Sequence, residues 1–204
     1  MGKSQLDEIM QQFIEQNKDQ LPALFKFRYD IRNQFLQLRA KEGSTAAILS
    51  AYKTIDDVQQ AAFAANTQTV SCHACTAAYC CHQSVLICEA EAALIAQYCK
   101  ENKIKISRKY LQKQLSHNRE NIALADCSAC VFLKDNRCSI YSVRPVACRT
   151  HHVGTPLELC DIKKYKKQRV EFVNNPAAQI IAVVVLEEGG KMDRVPRLLL
   201  KYST

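Results

Sequence analysis

The chain has no tryptophan, and its 204 residues include only 5 glycines and 5 prolines. So few glycines leave few positions for the tight turns that close β-hairpins, which favours helices over a hairpin-rich sheet. Long apolar runs are missing too. The longest mostly apolar stretch, residues 177–186, is about half the length of a membrane span. The opening residues, MGKSQLDEIMQQ, are polar and hold no apolar stretch of signal-peptide length, and Leu6 stands where a myristoylation signal needs Ser or Thr. No window carries a dinucleotide fingerprint, a phosphate loop or a G-x-S-x-G elbow. Nucleotide-driven chemistry and serine hydrolysis therefore have no local support. The expected setting is the cytoplasm, without a membrane.

Cysteine is present in excess. There are 11, all between positions 72 and 160. In a reducing compartment, clustered thiols read as metal ligands or redox groups rather than disulfides. Apolar residues make up 48% and charged residues 24%, ordinary values for a globular chain long enough to bury one core. The formal charge of +8 treats every thiol as neutral. Four thiolates on a divalent ion would lower it to roughly +6, and two such sites to roughly +4.

The periodicity predicts a mainly α, helical single domain with a cysteine-rich, metal-organised loop core. Three regions are expected: 1–66, an N-terminal helical region; 67–160, the cysteine-cluster core; and 161–204, a C-terminal helical region packed on that core. Leu6, Ile9, Met10 and Phe13 recur at helical spacing. Pro22 suits the first turn of a second helix, with Leu24, Phe27, Ile31, Phe35 and Leu38 on one side and Arg28 at its edge. Residues 42–45 read as a stop and a fresh cap, before an alanine-rich helix over 46–65. Helices are expected over 84–100 and 107–124, and an apolar segment follows Pro176 up to the break at Gly189 and Gly190. Asp135-Asn136 is a turn signal. Ser142 is placed to cap a short helix with Pro145 in its first turn and Cys148 on it.

The chemistry lies in two segments. The first, CHACTAAYCCH, is a C-x2-C-x4-C-C array of Cys72, Cys75, Cys80 and Cys81. Two cysteines separated by two residues let one loop turn both sulfurs toward one ion. The second segment supplies Cys127, Cys130, Cys138 and Cys148. Four thiolates complete a tetrahedral zinc site or hold one iron–sulfur cluster, so eight candidates mean two centres or some spectators. Neighbouring side chains in extended backbone point to opposite sides, so Cys80 and Cys81 reach one ion only through a tight bend.

The first array, the helix carrying Glu91-Ala92, and the stretch CVFLKDNRCSIYSVRPVACR together resemble the zinc- or iron-chelating cysteine-cluster family (CxxCxxCC, YkgJ-like), over residues 72–149. The resemblance implies a metal site at Cys72, Cys75, Cys80, Cys81, Cys130, Cys138 and Cys148. Arg144, Pro145 and Arg149 match its Arg-Pro and Cys-Arg elements. Two features depart from the pattern: the spacer before the cysteine pair is longer, and Thr150-His151-His152 replaces the usual aromatic-Pro. Cys127 has ligand spacing to Cys130, but the family does not require it.

Each of these residues also has a plainer role. Cys88 and Cys99 share a helical stripe with Ala92 and Ile95 and read as core, as spectators, and so does Cys160. His82, His151 and His152 stand beside cluster cysteines as nitrogen ligands or as local polar groups, and His73 reads as exposed. Arg144 and Arg149 either offset thiolate charge or pair with a nearby acid. Glu89 and Glu91 suit the first turn of a helix and need no catalytic role. The basic KKYKKQR stretch reads first as a solvated helix face and second as a nucleic-acid contact. The expected cofactor is Zn2+ or iron, an iron–sulfur cluster included. The readings are a structural or interaction module for a protein partner, an iron–sulfur redox or sensor protein, and a metalloenzyme with an open metal position.

Overall fold

The computed structural model describes residue 19 and residues 21–65, 79–117, 128–154, 160 and 172–203. The expected helix around Leu6 to Phe13 and the KKYKKQR stretch lie outside the described residues. The described architecture is mainly α, with three two-stranded antiparallel pairs.

Helix α1 (Leu21–Glu42) carries the expected Pro22 in its first turn. Phe35 is buried, and Phe27, Ile31 and Leu38 pack beside it against the core. Gly43 ends the helix at φ +91°, a left-handed turn that glycine adopts without Cβ strain, and its N–H donates to the Arg39 carbonyl at 2.9 Å. Helix α2 (Ser44–Ala65) follows at once and buries Ala47, Ile48, Ala51, Tyr52, Ile55 and Gln59, a stripe of three- and four-residue steps.

The expected helix over 84–100 starts late. Leu86–Cys88 form strand β1, and helix α3 (Glu89–Glu101) begins after it. Helix α4 is Arg108–His117, and residues 118–127 lie outside the description. Strands β2 (Leu133–Lys134) and β3 (Arg137–Cys138) form a hairpin. Helix α5 is the single turn Val146–Arg149, followed by β4 (His152–Val153), which pairs with β5 (Phe172–Val173). Helix α6 (Pro176–Glu188) is capped by Asn175, whose side chain accepts from the Ala178 N–H at 3.2 Å. Strand β6 (Met192–Arg194) pairs with β1, and helix α7 (Val195–Leu199) follows.

Helices α1, α2 and α6 pack on one another. Helix α2 also meets α3 and α5, so one helix serves both the apolar bundle and the cysteine-bearing elements. Gly189 lets the end of α6 close on β1, because a Cβ there would overlap Cys88.

Candidate metal centre

Three local devices present the described cluster cysteines. A 3-10 turn, Tyr79–His82, carries Cys80 and Cys81. Its curvature replaces the extended backbone that would splay the pair. The β2–β3 hairpin brings Cys130 and Cys138 to one end. Its two-residue turn is Asp135-Asn136, with φ values of +50° and +58°. Consecutive left-handed residues are what a type I′ turn requires, and Asp and Asn tolerate them. Below that turn Leu133 pairs with Cys138, and Leu133 N–H donates to the Cys130 carbonyl at 2.9 Å. Cys148 stands on α5. The cap of that helix is Pro145 rather than Ser142, which belongs to a separate 3-10 turn, Tyr141–Val143. Arg144, preceding the proline, is extended, as the ring sterically demands.

A backbone hydrogen bond joins the two cysteine segments: Cys130 N–H donates to the Cys81 carbonyl at 2.6 Å. Cys80, Cys81, Cys130, Cys138 and Cys148 all line one cavity, whose wall also includes Phe132, Ile140, Arg144, Pro145 and His151. Cys72, Cys75 and Cys127 lie outside the described residues. Among the described residues, no group of three or more Cys, His, Asp or Glu side chains is already arranged to hold an ion.

The cavity suppresses thiol ionisation. Burial pushes the Cys130 thiol up to about 12 and raises Cys138 and Cys148, with neighbouring sulfurs adding to the effect. The hydrogen bond between Cys80 and Cys81 moves the pair apart, lowering Cys80 and raising Cys81. The attractive charge is Arg144, which adds to the lowering of Cys80 and opposes the rise at Cys138 and Cys148. Its guanidinium stacks 4.1 Å over the Tyr141 ring. Its buried Nε has no hydrogen-bond partner among the described residues. A sulfur-rich, electron-donating group beside that donor fits both observations: soft thiolates suit zinc and iron, and an arginine N–H offsets their charge. Burial holds the His151 imidazole below its ordinary value, favouring the neutral ring that can ligate.

Arg149 takes the other of its two readings. It is 4% exposed, pairs with Asp56 at 2.5 Å, donates to the Arg144 carbonyl at 3.0 Å and to the Ser142 carbonyl, and stacks 4.2 Å over Tyr52. It therefore clamps the loop that carries Arg144. His152 is also turned away, with Nδ1 3.1 Å from Gln59 Nε2 and its ring edge-on to Phe63. Cys88, Cys99 and Cys160 are buried, the first two in the apolar core.

Sequence reasoning missed the reach of Glu91. This carboxylate has 0% exposure and accepts hydrogen bonds from Val146 N–H at 2.8 Å, Tyr52 O–H at 2.9 Å and Cys88 N–H at 3.3 Å. Burial raises its pKa, and these donors oppose the rise. The signal was available: Glu91 falls on the same helical stripe as Cys88, Ile95 and Cys99.

No curated protein and no solved structure matches the chain significantly. A family model described as "Putative zinc- or iron-chelating domain" matches residues 71–175, just over half of the 204 residues, and spans every cysteine of the cavity. The chain belongs to the CxxCxxCC family of zinc- or iron-chelating domains.

Proposed function

We propose that the chain holds zinc or an iron centre through thiolates from both cysteine segments, as a structural module that organises a surface for a protein partner. The supporting observation is the Cys130 to Cys81 backbone bond, which sets residues nearly fifty positions apart around one sulfur-lined cavity. Cys80, Cys81, Cys130, Cys138 and Cys148 are the described donors of this reading, and Cys72 and Cys75 complete its ligand set. Closed thiolate coordination supplies cross-links rather than turnover. Because the ligands come from separate segments, binding free energy becomes folding free energy. Arg144 offsets the negative charge that the thiolates gather.

The test is anaerobic purification with elemental analysis and a visible spectrum. Bound zinc supports the structural module. Iron with inorganic sulfide and visible absorption replaces it with the redox or sensor reading. Replacing Cys75→Ser or Cys138→Ser lowers metal content and thermal stability together. Unchanged metal stoichiometry in both variants overturns the ligand assignment.

A further inference from the structure

We propose that Glu91 is a positioning residue of this centre, holding the start of the helical turn that presents Cys148. The inference rests on the thiolate-centre reading. Helix α5 is only 4 residues long and has no side-chain cap of its own. One isolated turn is not stable in water, and its first N–H groups have no partner within the helix. Val146 is 0% exposed, so water does not satisfy its N–H. Glu91 Oε1 does so at 2.8 Å, reaching across from α3. The same oxygen accepts the Tyr52 hydroxyl of α2 at 2.9 Å, while Oε2 faces the Cys88 N–H at 3.3 Å.

The carboxylate thus ties three elements to one point, two residues before Cys148. Glu91 itself is 0% exposed, and its chain neighbours Ile87, Ala92 and Ile95 are all at most 1% exposed. An apolar side chain would suit that environment and avoid desolvating an acid. What an apolar side chain cannot do is accept from Val146 and Tyr52, and a buried donor left unpaired would push the turn away. Displacing the turn displaces the Cys148 sulfur from the cavity wall it shares with Cys80, Cys130 and Cys138.

The test is an anaerobic Co2+ titration of the reduced full chain, followed by the thiolate charge-transfer and d–d bands, with thermal melting alongside. Glu91→Leu is expected to weaken Co2+ binding about tenfold, the lower range for outer partners of metal ligands, and to shift the d–d bands. Glu91→Gln keeps one carbonyl oxygen for Val146 and Tyr52 and is expected to restore most of the affinity. Glu89→Gln, on the exposed face of the same helix, is expected to match the wild type. If Glu91→Leu binds as tightly with identical bands, Glu91 serves stability alone and the proposal is overturned, however low its melting temperature. Should that variant not fold, Tyr52→Phe decides: a smaller loss of affinity with shifted bands supports the proposal, and wild-type affinity and bands overturn it. A wild-type chain that takes up no Co2+ overturns the centre itself, a result distinct from a Glu91 variant that behaves like a metal-binding wild type.

Discussion

The two faces of α2 hold the molecule together by different means. Toward α1 and α6, burial is apolar: Ala47 on α2 and Ile181 and Val184 on α6, all three at most 1% exposed, border one pocket with Phe35 of α1. Toward the cysteines, the elements are a 3-10 turn, a two-residue hairpin and a one-turn helix. Their links are the Tyr52–Glu91 bond and the Arg149–Asp56 pair. The bundle is built from helices of 13 to 22 residues, whereas the cysteine side has short elements whose ends need external partners. A metal cross-link matters most where secondary structure is shortest.

Chelation is the strongest way to break this contrast. Removing metal under reducing conditions is expected to lower stability by about 4 kcal/mol if free metal exceeds its Kd a thousandfold, and Cys138→Ser is expected to melt at the chelated wild-type temperature. A melting temperature indifferent to chelator would place both faces in the same class. Next comes the bundle. Ile181→Ala, at a site of 1% exposure between α1 and α2, is expected to cost about 3 kcal/mol by cavity formation, with metal stoichiometry unchanged.

Proton linkage is smaller and separates the faces by pH. Thiols raised by burial, such as Cys130 at about 12, are protonated at neutral pH and must release protons to bind metal. Metal affinity therefore rises with pH, by about 1.4 kcal/mol per pH unit for each proton displaced. Chelator competition at several pH values measures this, and a flat profile would contradict thiolate ligation. Asp56→Ala is expected to cost about 1 kcal/mol, because Arg149 is buried but Asp56 is half exposed to solvent. Lys201→Ala, which breaks an exposed pair with Glu89, is expected to leave melting and metal content unchanged.

Much of the helical side is readable from local pattern. The α1 stripe, the stop at Gly43 and the start of α6 at Pro176 each follow from spacing or backbone chemistry within a few residues. The Asp135-Asn136 turn is equally local. Strand β1 was not readable, because Ile87 and Cys88 continue the apolar stripe of the following helix. Their strand partners, Asp193 and Met192, lie about a hundred residues away. The choice between the two readings of Arg149, and the reach of Glu91 beyond its helix, were not readable for the same reason. Their partners Asp56, Tyr52 and Val146 arrive from other elements.

Local chemistry along the chain accounts for the helices, the hairpin turn and the supply of soft sulfur donors, since propensity, period and thiol identity need no distant partner. Which sulfurs face one another, and that Arg144 rather than Arg149 turns toward them, depends on how α2, α3 and α5 pack. Such choices are made by contacts between residues tens of positions apart, where steric fit and hydrogen-bond satisfaction select among arrangements that every local rule permits.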